Sequence, residues 1–267
     1  MKKVLSVQDL SCVGKCSLSV ALPVLSAMGH SCSVLPTAVL STHTAFPNPH
    51  VRSLTEDMTA ICNHWKSIGA KFDAIAIGYL SDPAQAAAAA YLLDSFPAFT
   101  VVDPAMGDHG KLYSGLTPDH TAAVKALCAR VNVLTPNVTE ACLLTDIEYR
   151  EQGDLSYYRQ LLNALTQFGA DTVILTGISP QPETTGFIGI DKQLGEFCRL
   201  VPRQPKKCHG TGDLFTAAFT GYCLREKTVS QAAELAAEFT EQVIAATDCE
   251  SPFGIAFEPL LPLLHTL

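Results

Sequence analysis

The sequence is poor in positive charge and has no run of more than two lysines or arginines. Its 18 Lys and Arg residues face 26 Asp and Glu residues, so the formal net charge is −8. Nucleic acids and anionic membranes attract basic patches, so neither is expected as a partner. No uninterrupted apolar run approaches the roughly 20 residues of a membrane span, and the first residues lack the apolar core of a signal peptide.

Cysteine is plentiful, but the patterns that give it a structural role are missing. None of the ten cysteines forms a C-x-x-C pair, and no Cys/His spacing of the zinc-binding kind is present. Cys128, Cys142 and Cys223 lie in apolar helical patterns, where a free thiol behaves as a small hydrophobic group. We therefore expect a reducing, cytoplasmic compartment.

Two common nucleotide-binding motifs are also absent. No G-x-G-x-x-G follows the first apolar segment, which argues against a dinucleotide-binding domain. Gly14-Lys15 resembles the end of a Walker A motif, but Asp9 stands where the first glycine belongs and Cys16 where the motif needs Ser or Thr. Lys15 is therefore expected to be solvated or to support the site indirectly.

Apolar strand-like segments alternate with helical patterns along the whole chain, and hydrophobic residues make up 48% of it. Such alternation indicates an α/β fold with a mostly parallel sheet and helices on both faces. No repeat or linker divides the chain, so one domain over 1–267 is expected. The predicted strands are 4–7, 33–40, 72–77, 99–102, 131–134 and 172–175, with a hairpin of 185–190 and 196–201; the predicted helices are 17–28, 54–65, 83–93, 121–129, 155–168, 230–246, one after Gly210 and a short one at the C-terminus.

Polar residues follow many of these strands. Ligands of parallel sheets bind at the carboxyl ends of the strands, so these residues are expected to gather at one edge. They are Gln8 and Asp9, residues 41–44, Gly78 and Tyr79, Asp103, residues 135–137, and Thr176.

Two acidic segments have the residue types of a metal–phosphate site. In "VVDPAMGD", Asp103 ends a strand; in "LTPNVTEACLL", Asn137 and Glu140 stand three residues apart at a helix start. Magnesium takes one or two carboxylates together with waters and phosphate oxygens. The alternatives are a turn in which Asp103 caps Met106, and a capping box between Asn137 and Glu140.

The stretch "HGTGDLF" places two glycines and an acid before a helical pattern. Gly210 and Gly212 permit a sharp turn or a close approach to a ligand, and the helix N-terminus offers N–H groups to an anion. Asp213 then either caps the helix or accepts a proton from an alcohol beside that anion.

These motifs together resemble the ribokinase-like superfamily, and within it the pyridoxal kinase family. The resemblance lies in "LPTAVLSTHTAF", "IGYL", "VVDPAMGD", "LTPNVTEACLL", "VILTG" and "HGTGDLF", which span nearly the whole chain in the family's order. It implies a three-layer α/β/α fold, a homodimer, and ATP-dependent phosphorylation of the 5′-hydroxyl of pyridoxal, pyridoxine or pyridoxamine.

The resemblance also implies residue roles. Asp213 would be the catalytic base, and the N–H groups of Gly210, Thr211 and Gly212 would form the anion hole. Asp103 and Glu140 would manage Mg²⁺, partly through water. On the ATP side, Thr135 and Thr176 would contact phosphate or a monovalent cation such as K⁺ or Na⁺. Asn137 would support the metal–phosphate cluster. The stretch from Val201 to Cys208 would border the adenine.

On the vitamer side, Asp9, Thr44 and Tyr79 match positions that face the pyridine ring, with His43 beside them. Asp108 and Tyr113 lie on the segment that resembles the family's active-site cover.

Departures from the family pattern leave the alcohol substrate open. Many members have serine in place of Asp9 and a Gly-Asn pair in place of Cys16-Ser17. Asp9 would either accept a hydrogen bond from the ring hydroxyl or pair with a ring N–H, and each alternative changes which vitamer binds best. Hydroxymethylpyrimidine kinases share the fold and a similar ring substrate, and several use a cysteine in the glycine loop; Cys208 lies outside G-T-G-D and is interpreted as non-catalytic. A regulator that binds nucleotide or vitamer without turnover is the alternative of another class.

Overall fold

A long twisted sheet forms the middle layer of the protein. The computed structural model describes residues 1–206, 208–248 and 252–265. Within them, nine strands pair in the order β11-β10-β9-β8-β5-β4-β1-β2-β3, and a two-stranded hairpin, β6-β7, stands apart. The strands are β1 Lys3–Val13, β2 Ser31–Thr42, β3 Val51–Ser53, β4 Ala74–Ile77, β5 Phe99–Val102, β6 Gly107–Asp108, β7 Lys111–Leu112, β8 Val133–Leu134, β9 Thr172–Ile178, β10 Thr184–Asp191 and β11 Gly195–Pro202.

The sheet is parallel through its centre and antiparallel at its edges. Strands β2, β1, β4, β5, β8 and β9 pair in parallel, whereas β3 and the predicted β10–β11 hairpin pair antiparallel. Parallel neighbours need crossover connections, and helices supply them. The helices are α1 Leu18–Ala27, α2 Thr55–Ser67, α3 Pro83–Ser95, α4 Pro118–Cys128, α5 Val138–Thr145, α6 Leu155–Thr166, α7 Thr211–Leu224 and α8 Val229–Ala246, followed by a 3₁₀ helix, Glu258–His265.

Two apolar cores lie on opposite faces of the sheet, because successive strand residues point to opposite sides. In β9, Val173 and Leu175 pack into the core that contains α6, whereas Ile174 packs into the core that contains α7 and α8. The three-layer α/β/α architecture expected from the sequence is confirmed. None of the helices in the described ranges is long and apolar enough to cross a membrane.

Some predicted boundaries are wrong, and the errors lie beside the sheet edge of interest. Strand β1 runs to Val13 instead of ending at residue 7, so Asp9 lies inside it, and Thr176 likewise lies inside β9. Strand β3 was not predicted, and the segment around His109 forms the β6–β7 hairpin instead of an open loop.

The extension of β1 begins where its pairing with β4 ends. Strand β4 pairs with β1 only from Val4 to Val7, whereas β2 accompanies β1 to its end. Beyond that point Asp9 and Ser11 line a cavity, while pairing with β2 continues the strand. Polar residues therefore replace apolar ones without ending β1.

Candidate active site

Two cavities lie side by side at the carboxyl ends of the parallel strands. Their volumes are about 420 and 360 Å³. The larger reaches from the acidic residues of β5 and α5 to α8, and the smaller lies against β1, β2 and the loop after β4. They share the lining residues Ala105, Asp108, Tyr113, His209, Gly210 and Asp213. Asp213 therefore lies where the two cavities meet.

Gly210 forms the N-terminal turn that presents Asp213. Its φ is +88°, and a Cβ added there would clash with the carbonyl oxygen of Lys15. Helix α7 starts at the next residue, and Asp213 falls in its first turn. The N-cap residue is Gly210, and in the described part of the chain no side-chain cap hydrogen bond is made at this helix start, so the interpretation of Asp213 as an ordinary cap is wrong.

Ser17 connects the two carboxylates that face the smaller cavity. Its backbone N–H donates to Asp213, and its side chain hydrogen-bonds to Asp9. Ser17 has φ +51°, a conformation that non-glycine residues adopt at an energetic cost and that tends to occur at functional sites. Its helix-start position was visible in the sequence, but its contacts to two acids were not.

The pKa of Asp213 is raised to about 7. Burial is the main cause, because a low-dielectric environment disfavours the charged form. The Ser17 N–H opposes this shift, and the negative charge of Asp9 adds to it. A carboxylate with a pKa near 7 is matched to proton transfer at neutral pH.

Asp103 and Glu140 form an acidic pair in the larger cavity. Burial raises the pKa of both, and the charges of Glu140 and Asp213 raise that of Asp103 further. Glu140 Oε2 accepts from Asn137 N at 2.9 Å, and its Oε1 accepts from Met106 N at 3.2 Å. The capping box between Asn137 and Glu140 is thus present, whereas Met106 bonds to Glu140, so the alternative in which Asp103 caps it is wrong.

The two carboxylates of this pair fit Mg²⁺ better than they fit a metal ion whose ligands all come from the protein. The described residues contain no group of three or more metal-ligating side chains. Mg²⁺ needs only one or two carboxylates when phosphate oxygens and waters complete its shell. Among the described residues, the Asp103 carboxylate accepts one hydrogen bond, from Thr216 Oγ1 at 3.4 Å, so it keeps acceptor capacity for a cation.

The hydroxyl and amide residues beside this pair are held in place by the sheet. Thr135 Oγ1 lies 3.1 Å from Thr216 Oγ1, and Asn137 Nδ2 donates to Gly107 O at 2.9 Å. An isolated parallel bridge joins Asn137 to Thr176. All three predicted residues, Thr135, Asn137 and Thr176, therefore lie on the wall of the larger cavity.

The other end of the larger cavity is mostly apolar. Val201 and Cys208, the two ends of the stretch expected to border the adenine, line this end of the cavity. Lys207 of that stretch lies outside the described residues. The sequence analysis did not predict the wall that α8 contributes. The signal for it was a set of α8 residues three and four positions apart, which lie on one face of a helix. It consists of Ala237, Thr240, Glu241 and Ile244.

The smaller cavity is lined by Asp9, His43, Thr44 and Tyr79, all of which were predicted from the sequence. His43 is held by a 3.0 Å hydrogen bond between Nε2 and Pro252 O, and its ring lies 5.0 Å from that of His209. Burial, together with the charge of Asp9, raises the pKa of Tyr79 to about 12. Each residue to which the resemblance gives an individual role thus lines one of the two cavities, and those roles stay predictions.

Comparison with known proteins gives consistent matches. The family model described as phosphomethylpyrimidine kinase matches residues 24–255. A pyridoxine/pyridoxal/pyridoxamine kinase of Bordetella pertussis is 31% identical over 253 residues, which are 88% of this chain and 85% of that protein. A Bacteroides thetaiotaomicron structure determined with pyridoxal superposes with a TM-score of 0.94 at 33% identity, covering 99% of this chain and 96% of that one.

The pyridoxal kinase of Lactobacillus plantarum superposes with a TM-score of 0.90 at 31% identity, covering 100% of this chain and 97% of that one. These matches confirm the resemblance to pyridoxal kinases and the ribokinase-like fold. The chain belongs to the phosphomethylpyrimidine kinase family, within which it is similar to pyridoxal kinases over most of its length.

Proposed function

We propose that the protein transfers the terminal phosphoryl group of ATP to the 5′-hydroxyl of a vitamin B6 vitamer, namely pyridoxal, pyridoxine or pyridoxamine. The observation that carries this proposal is the position of Asp213 between two cavities. A kinase needs an alcohol on one side of its base and a phosphate on the other, and these cavities provide both places. The names of the relatives support this choice of alcohol.

In the proposed reaction, Asp213 accepts the proton of the 5′-hydroxyl as that oxygen attacks the γ-phosphorus. The bond from phosphorus to the β,γ-bridging oxygen breaks, and ADP leaves. The N-terminus of α7, with the N–H groups of Gly210, Thr211 and Gly212, stabilises the negative charge that develops on the phosphoryl oxygens. Because these groups are fixed before the substrates bind, little reorganisation is needed during transfer.

Asp103 and Glu140 would hold the Mg²⁺ that accompanies ATP, partly through water. When bound, Mg²⁺ neutralises phosphate charge during transfer. Thr135, Asn137 and Thr176 are proposed to contact the phosphates, and the apolar wall at Val201 is proposed to border the adenine. The K⁺ or Na⁺ ion, the homodimer and the cytoplasmic location stay predictions from the resemblance.

Hydroxymethylpyrimidine is the second candidate substrate, because the matching family model carries a pyrimidine kinase description. A coupled assay of ADP release with Mg²⁺-ATP and each alcohol separately tests the choice. We expect turnover with at least one of the three vitamers and a kcat/KM for it well above that for hydroxymethylpyrimidine. The reverse order would assign the pyrimidine, and vitamer binding without ADP release would assign a regulator.

The rate is expected to depend on pH through Asp213. Its pKa of about 7 means that the proton-accepting form is lost as the pH falls through neutrality. We therefore expect kcat/KM for the vitamer to fall about tenfold per pH unit below that pKa. A profile measured from pH 5 to 9 at saturating Mg²⁺-ATP checks this, and an acid limb flat down to pH 5 would contradict it.

Replacing Glu140 is expected to weaken the response to Mg²⁺. Glu140→Gln removes the charge and keeps one acceptor oxygen, which can serve the Asn137 N–H of the capping box in helix α5, whereas the Met106 N–H loses its acceptor. We expect the Mg²⁺ concentration for half-maximal activity to rise by about 10- to 100-fold, as for other residues that support metal ligands. Glu234→Gln, on an exposed turn of α8, is the matched control, and equal Mg²⁺ responses in both variants would contradict the role.

A further inference from the structure

Asp9 is a buried acid in the smaller cavity without a positively charged partner. Its exposed fraction is 3%. Ser11 Oγ donates to its Oδ2 at 3.1 Å, and the Ser17 side chain is its other side-chain partner. In the described chain, no lysine, arginine or histidine forms an ion pair with it. A carboxylate can accept about four hydrogen bonds, so Asp9 keeps capacity for a ligand.

The cavity around Asp9 is acidic as a whole. Its described lining contains Asp9, Asp108 and Asp213, three histidines, and no lysine or arginine. Burial lowers the pKa of His43, which favours its neutral form. His109 and His209 are exposed, and His109 Nε2 lies 3.6 Å from Asp108 Oδ2. The environment therefore favours a ligand that brings positive charge or strong N–H donors.

We propose that Asp9 determines alcohol specificity by accepting a charged N–H of the substrate, so that the smaller cavity selects vitamers that are protonated on nitrogen. This inference rests on the proposed function for the identity of the alcohol. A buried charge is unfavourable unless it is paired and hydrogen-bonded, and a substrate N–H⁺ pairs with Asp9 in the bound state. Burial raises the pKa of Asp9 although hydrogen bonds from Ser17 and Ser11 oppose the shift, which is consistent with a carboxylate that lacks a positively charged partner.

Two sources can supply the charged N–H. All three vitamers have a pyridine nitrogen that takes up a proton, and pyridoxamine also carries an ammonium group on the carbon attached to C4. Pyridoxine has the ring nitrogen alone. Comparing pyridoxine with pyridoxamine therefore identifies which group Asp9 recognises.

The test is isothermal titration of each vitamer into the full chain in the presence of Mg²⁺ and a non-hydrolysable ATP analogue. Asp9→Asn keeps the shape and removes the charge, and Asp9→Ser supplies a hydroxyl instead. Both variants lose the charge-assisted hydrogen bond, so we expect the Kd of the vitamer to rise by about 10- to 100-fold. Asp57→Asn, an exposed acid on α2, is the control, with Kd unchanged.

An equal rise in Kd for both vitamers that shrinks as the pH is raised through the pKa of the pyridine nitrogen assigns the ring nitrogen, and a rise for pyridoxamine alone assigns the ammonium; either result supports the proposal. An equal rise that is the same at every pH assigns the ring hydroxyl, which both vitamers also carry, and overturns it. Unchanged Kd values in both Asp9 variants, with unfolding midpoints equal to that of the unsubstituted protein, overturn it. A structural defect would lower the midpoint and weaken binding of the ATP analogue as well. Because the readout needs no turnover, it is independent of ADP release, whose absence would count against the proposed function alone.

Discussion

Asp213→Ala is expected to lower kcat for vitamer phosphorylation by about 10²- to 10⁴-fold while the Kd for ATP changes little. The size of the loss is that of general-base catalysis. Asp213 and Asp108 are the two acids that line both cavities, and Asp213 is the one in the first turn of α7. Stopped-flow or steady-state ADP release gives kcat, and titration with an ATP analogue gives the Kd. Near-normal turnover would refute the role of this residue.

The same variant also separates catalysis from folding. Because the pKa of Asp213 in the folded protein is raised from 3.8 to about 7, the native state binds more protons than the unfolded state in that range. Its contribution to stability therefore falls as the pH rises from about 4 to 7 and stays unfavourable above 7. At pH 8 the variant is expected to unfold no earlier than the unsubstituted protein. Asp119→Ala, in the first turn of α4, is the matched control and should keep its activity.

Gly210→Ala is expected to lower kcat by at least about 10²-fold, the typical loss when one donor of an anion hole is misplaced. The added Cβ would clash with the backbone of Lys15, and φ at this position is +88°. The turn must shift, and it would take the N–H groups and Asp213 with it. Activity together with the thermal unfolding midpoint measures both consequences.

Gly69→Ala provides the control for backbone strain alone. Gly69 has φ +68°, but a Cβ added there meets no atom within 4 Å. The Gly69→Ala variant is expected to lose about 1–2 kcal/mol of unfolding free energy, and its kcat is expected to stay unchanged. Equal losses of kcat in the two variants would show that the contact between Gly210 and Lys15 does not position the loop.

The sequence was most reliable where strands are buried on both faces. The strand at 99–102 was predicted with its observed bounds, because an apolar run bounded by Pro and Asp has one simple interpretation. The end of β1 was placed too early, since Asp9 and Ser11 are polar residues in a strand that has lost one neighbour. A strand segment that lines a cavity therefore has the polar residues typical of a loop, and the sequence pattern does not distinguish the two.

Residues that act through their backbone were the hardest to predict. Ser17 was expected only to start a helix, yet its N–H and its side chain bond to two different acids. Such contacts depend on how β1, α1 and α7 meet, which no local pattern encodes. At Asn137 and Glu140, by contrast, the capping box that the spacing offered as the alternative is present, and the fold also brings Glu140 close enough to Asp103 for its charge to raise the pKa of that residue.

The most direct test is a crystal structure of the protein with Mg²⁺, a non-hydrolysable ATP analogue and pyridoxine. We expect the 5′-hydroxyl oxygen within about 2.6–3.2 Å of an Asp213 carboxylate oxygen, the reach of a general base, with the terminal phosphate on its other side at the N-terminus of α7. A vitamer bound outside the cavity of Asp9 and Tyr79, or a different side chain between the hydroxyl and the phosphate, would contradict the proposed mechanism.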